Sequence, residues 1–164
     1  MTLQATSPAR PALRVRLRSA VLGGIGAVLL LVSALGPAWF YSPAQPQAHI
    51  PATTLSYPGL HHFADSGLAP TNWIQQNYFS WLGWLLIVVT ILATGAAVVA
   101  ERRILSLAGA ALSLLGLILG LFAAKGALSW SQFSHELPDL RVGAYLLVAG
   151  FVFTCVSGLL PESP

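Results

Sequence analysis

Two short stretches hold most of the side chains in this chain that could bind a metal or move a proton near neutral pH. GLHHFADSG, residues 59–67, sets His61 and His62 ahead of Asp65, and SHELPD, residues 134–139, sets His135 beside Glu136 and ahead of Asp139. Imidazole nitrogens and carboxylate oxygens are ordinary zinc ligands, but such sites use three or four of them in a compact shell. Neither stretch suffices alone. A metal or small-ligand site would need both to meet, with His61, His62 and Asp65 facing His135 and Glu136. HHxxD is not the HExxH pattern, in which one helix face presents both histidines. Histidine also titrates near pH 6.5, so a pH response is a second reading. The third, favoured here, is that these are polar residues of a bend in the one wet region that the chain offers. The fourth histidine, His49, lies in the same part of the sequence.

Other chemistry leaves no trace. There is no GxSxG, no phosphate-binding glycine loop and no dinucleotide turn. Ser134 and His135 are neighbours in sequence only, which carries no triad meaning. With one cysteine, Cys155, an intramolecular disulfide and a thiolate metal cluster are both excluded. Cys155 stands mid-span in apolar surroundings and is expected to be inert. The chain is therefore expected to be no enzyme and to carry no cofactor.

The elements that would position these residues are membrane spans. Of 164 residues, 55% are hydrophobic and 8% charged, against about a quarter charged in a soluble domain. A spanning helix needs about 20 apolar residues to cross about 30 Å of hydrocarbon. Four runs qualify: 20–41, 81–100, 104–124 and 143–160. Residues 1–19 form a basic tail, 42–80 and 125–142 are loops, and 161–164 a second tail. Glu101-Arg102-Arg103 makes a tight turn between the second and third spans. The expected fold is an all-α, up-down, four-helix transmembrane bundle with a small loop cap.

Arginine and lysine favour the cytoplasmic side. Arg10, Arg14, Arg16 and Arg18 precede the first span, and Arg102 and Arg103 sit in the tight turn. Both termini are thus expected in the cytoplasm of a plasma (inner) membrane, with loops 42–80 and 125–142 outside. The basic balance reads as membrane orientation, with no nucleic-acid partner. All five tryptophans, Trp39, Trp73, Trp81, Trp84 and Trp130, fall at or beyond the opposite ends of the spans, where ring side chains sit at headgroup level. A rival reading takes Arg10–Ala34 as a signal peptide with a small-residue site at Val32-Ser33-Ala34. The apolar run continues to Tyr41, and that length favours an uncleaved span.

Helices in lipid associate through small residues. Gly109, Ser113, Gly116 and Gly120 share one face of the third span, Gly143, Gly150, Thr154 and Gly158 one stripe of the fourth, and Ala20 and Gly24, with Gly23 and Ala27, mark the first. Packing within the bundle is favoured over a dimer face. No Asp, Glu, Lys, Arg or His interrupts any span, and such residues mark ion and substrate paths. Their absence argues against a carrier working alone.

In the long loop, SPAQPQAHIP reads as extended chain, ATTLSY (52–57) has strand character, and TNWIQQNYFSW (71–81) reads as a helical lead-in that Thr71 or Asn72 could cap. Tyr57, Phe63 and Trp73 here, with Trp130 and Phe133 of the second loop, need something apolar to pack on. They are expected to form an aromatic cap, completed by one another or by a partner.

A basic start, a span ending GPAWFY, a long loop, WLGWLL, an ERR turn, a glycine-rich third span and RVGAYLLVAG follow in order over residues 14–160. This order resembles small four-helix membrane proteins of actinobacteria, a family with no established catalytic residues to carry over. The topology is also similar to that of claudin-like tetraspans, without their loop cysteines and tryptophan signature. The combined expectation is an accessory or scaffold subunit of a cell-envelope membrane complex, whose partners are the lipid bilayer and another membrane protein. The alternatives are metal or small-ligand binding by the external histidines and carboxylates, and a helix-contributing transport component.

Overall fold

The computed structural model describes residues 9–44, 51–66, 71–100 and 102–160. His49 and most of the SPAQPQAHIP stretch lie outside them. The described chain is predominantly helical, and four of its helices are long and apolar enough to cross a membrane.

The first helix, α1, runs Ala9–Leu35, so the arginines at 10, 14, 16 and 18 stand on the same helix as the apolar run. It ends six residues before the expected boundary at Tyr41. Gly36 and Pro37 follow at once, and a proline disfavours helical backbone in the residue before it. Trp39, Phe40 and Tyr41 therefore leave the helix altogether. Phe40–Ser42 (β1) pairs antiparallel with Thr53–Leu55 (β2), Phe40 opposite Leu55. This ribbon is the one departure from an all-helical chain among the described residues.

The stretch expected as a bend is a helix. Tyr57–Asp65 (α2) opens with Ser56, whose hydroxyl accepts from the Gly59 N–H at 3.3 Å, and with Pro58 in the first turn, both strong helix-start features. Trp73–Asn77 (α3) is capped by Asn72, whose Oδ1 accepts from the Gln75 N–H at 2.7 Å. It runs without a break through a π turn at Tyr78–Leu82 into Gly83–Ala100 (α4). The apolar helix is thus Trp73–Ala100, 28 residues long, eight residues longer at its start than the run 81–100. Arg103–Lys125 (α5) stops at Gly126, whose φ of +56° suits glycine. Trp130–Glu136 (α6) carries a reciprocal Ser129–Gln132 capping box. Val142–Leu159 (α7) completes the chain, its last turn met by Arg103, which donates to the Leu160 carbonyl at 2.7 Å.

The four long helices touch in the ring order α1, α7, α5, α4. The closest pair is α1 with α7. Ser19 and Ser157 each donate to the other's carbonyl at 2.9 Å at one end, and Ser33 donates to the Gly143 carbonyl at 2.7 Å at the other. Between them the backbones cross at Gly26 and Gly150. A Cβ on Gly26 would stand 2.8 Å from the Gly150 carbonyl oxygen and 2.9 Å from the Thr154 nitrogen. The first helix therefore uses Gly23 and Gly26, while Gly24, expected on the packing face with Ala20, points into open space. Gly23 and Gly26, three residues apart, share one face of α1, while Gly24 is turned by about 100° from Gly23.

On α5 the residues Gly109, Ser113, Gly116 and Gly120 are all buried. Gly116 receives the Phe151 ring of α7, Gly109 faces Thr94 of α4, and the hydroxyls of Ser113 and Thr154 meet at 2.8 Å. Ser33, Ser113, Thr154 and Ser157 satisfy themselves on backbone carbonyls or on each other, as small polar residues do between apolar helices, while the buried hydroxyls of Thr90 and Thr94 find no partner among the described residues.

Candidate functional site

The β-ribbon, α2, α3 and α6 gather at the end of the four helices away from the Arg102–Arg103 turn, and form a cap. Its centre is aromatic. The Tyr57 ring lies edge-on to Trp39 at 5.0 Å between centroids, to Phe79 at 5.6 Å, to Trp84 at 5.6 Å and to Tyr78 at 6.5 Å. Edge-to-face pairs at such distances add about 0.5–1.5 kcal/mol each beyond their buried area.

Trp39 ties this cluster to the chain on three sides. Its indole N–H donates to the Ser33 carbonyl at 2.8 Å, its backbone N–H to the Leu55 carbonyl at 2.7 Å, and its carbonyl accepts from the Arg141 N–H at 2.9 Å. The ring lies directly on Gly143, where no larger residue fits. One residue, through its ring and its backbone, thereby holds α1, the ribbon and the start of α7 together. Tyr57 does the same for α2 and α4, its hydroxyl donating to the Tyr78 carbonyl at 2.8 Å. Burial pushes the Tyr57 phenol well above its ordinary range, and the Tyr78 phenol adds to the shift.

Of the five rings expected to build the cap, Tyr57 and Phe133 are buried and Phe63 is half-buried, but Trp73 is 72% and Trp130 55% exposed. Trp130 lies under the Lys125 ammonium at 5.3 Å and beside Phe122 at 6.0 Å. The centre is instead made by Trp39, Tyr78 and Phe79, which the sequence reading either set at headgroup level or left out of the cap. Two traces of them were available. Pro37 ends α1 before Trp39, and Gly83 breaks an otherwise bulky apolar helix, which marks a close approach.

Below this cluster lies a partly open cavity of about 430 Å³. Its apolar walls include Leu55, Leu60 and Phe63 from the cap and Phe79, Ala123 and Ala144 from the long helices. Lys125, Gln132 and Glu136 supply polar lining.

The expected metal set is not assembled. His61 Nδ1 and Asp65 Oδ2 stand 3.4 Å apart, one turn apart on α2, too poorly aligned for a hydrogen bond. The His61 and His62 rings stack at 5.6 Å on the same helix. His135 is exposed on α6 and Glu136 faces the cavity. Among the described residues, no three His, Cys, Asp or Glu side chains come close enough to hold a metal ion. The reason is placement: His61, His62 and Asp65 stand together on α2, His135 is exposed on α6, and the two sets do not meet.

No protein family, curated protein or solved structure matches this chain.

Proposed function

We propose that this chain is a non-enzymatic, multi-pass protein of the plasma membrane, an accessory or scaffold subunit that works through its external cap. The four long helices form an up-down transmembrane bundle, with both termini and the Arg102–Arg103 turn in the cytoplasm and the cap outside, as the arginine distribution favours.

The observation that carries this reading is Trp73. The helix from Trp73 to Ala100 has 28 residues and is therefore about 42 Å long, against a hydrocarbon core of about 30 Å. With Trp81 at the headgroups, Trp73 stands about 12 Å further out along the same helix, at one α-helical rise per residue. There it is 72% exposed, the largest exposure of any tryptophan in the described chain. A bare indole beyond the lipid is costly in water and is the kind of residue that anchors protein interfaces. Ser19, Ser33, Ser113, Thr154 and Ser157 are engaged in holding helices together, which supports a structural role over a transport path.

A photo-crosslinking amino acid at position 73, in the native membrane, tests the reading. It calls for a discrete adduct with another membrane protein. Crosslinks to lipid alone would remove Trp73 as a partner contact and with it the support for this function.

A further inference from the structure

The cavity between the cap and the helix ends lies within the size range of small-molecule sites, roughly 300–1,000 Å³. The room comes from small side chains where α5 ends. Ala123, Ala124, Gly126 and Ala127, either side of Lys125, line the cavity there, and Ala144 lines it from α7. Larger residues at these places would close it. The remaining walls are mostly aliphatic and aromatic, so an occupant gains by burying hydrocarbon.

The polar lining is balanced in sign. Lys125 and Glu136 bring one charge each, and Gln132 offers both a donor and an acceptor. With one charge of each sign on the lining, an anionic head gains from the Lys125 ammonium and loses to the Glu136 carboxylate, and a cationic head the reverse, so neither recovers the cost of leaving water. A hydroxyl or amide head of no net charge avoids that cost and finds hydrogen-bond partners. The site also stands at the end of four helices long and apolar enough to cross a membrane, where lipid is the abundant apolar solute.

We propose that this cavity binds one lipid amphiphile, a single hydrocarbon chain bearing an uncharged hydrogen-bonding head. The inference rests on the cavity and does not depend on a protein partner at Trp73.

Trp39 lines the cavity and serves as reporter. In the purified full chain, with Trp73, Trp81, Trp84 and Trp130 replaced by phenylalanine so that Trp39 is the one tryptophan left to fluoresce, a chain-brominated monoacylglycerol is titrated in detergent. Saturable loss of Trp39 fluorescence is expected, and loss of that saturation in Ala144→Phe with helical content unchanged. The same brominated chain carrying a carboxylate or an ammonium head should need a higher concentration. If Ala144→Phe does not fold, Ala127→Phe decides, since Ala127 is exposed and its substitution leaves the helix contacts alone. Quenching that rises without saturation, or that both filled variants leave intact, overturns the site. Equal saturation by all three heads overturns its preference for an uncharged one.

Discussion

The hydroxyl of Tyr57 donates to the carbonyl of Tyr78 at 2.8 Å and occupies the space where Gly83 would carry a Cβ. The same carbonyl accepts the Gly83 N–H five residues on, which makes the π turn at Tyr78–Leu82. A side chain inserting into the helix ladder is an established cause of such a turn. The cap is thus keyed into the start of a long helix by one hydroxyl and one glycine.

Breaking that key should be non-additive. Tyr57→Phe removes one buried hydrogen bond and should cost about 1 kcal/mol. Gly83→Ala forces the hydroxyl out and sets a methyl 2.8 Å from the Tyr78 carbonyl oxygen, for about 1–3 kcal/mol. Gly83→Ala should cost less in the Tyr57→Phe background than in the native chain. Thermal unfolding of the four proteins in detergent gives the cycle, and strict additivity would separate the two residues.

The Tyr57 phenol also predicts a pH dependence. Its folded value is raised above the unfolded value of about 10. Below pH 10 both states keep the proton, so stability does not depend on this group. Above pH 10 the unfolded chain loses the proton and the folded chain retains it, so stability falls by up to about 1.4 kcal/mol per pH unit. The difference between native and Tyr57→Phe unfolding profiles isolates that slope. Parallel profiles from pH 9 to pH 11 would mean that the phenol is not buried.

Gly24 and Gly26, two residues apart on α1, should respond differently to alanine, and Gly150 on α7 should follow Gly26. Gly26→Ala and Gly150→Ala place a methyl 2.8 Å from the Gly150 carbonyl oxygen and 3.0 Å from the Gly26 carbonyl oxygen, respectively, and each should destabilise by about 1–3 kcal/mol. Gly24→Ala meets open space and should be neutral or slightly stabilising, by the better helix propensity of alanine. Equal effects at positions 24 and 26 would place the helix contact on another face.

Metal analysis of the purified protein should find no stoichiometric ion, and a His61→Ala, His62→Ala double variant should leave the content unchanged. One equivalent of zinc lost in that variant would restore the site that the placement of these residues argues against.

The long helices were legible because their signal is composition summed over about 20 residues, which one substitution hardly alters. The small-residue faces of α5 and α7 were legible because helical periodicity fixes them. What escaped was decided by single residues or distant contacts. Pro37 shortened α1 and released Trp39 to the ribbon. Ser56 and Pro58 turned HHFAD into a helix. The Tyr57–Tyr78 contact joins residues 21 positions apart and leaves only Gly83 as a local trace. Trp73 and Trp130 need an apolar contact from one another or from a partner, and hydrophobicity alone does not distinguish a ring that fills a core from one that awaits a partner.

The central claim is that the cap serves another protein through Trp73. It is tested most directly by gentle purification of the full chain from its native membrane at native expression, in parallel with Trp73→Ser, and mass spectrometry of what accompanies each. One stoichiometric membrane protein should accompany the native chain and be lost from the variant, while the variant's own unfolding temperature is unchanged. A native chain that purifies alone, or a partner retained equally by both, contradicts the account.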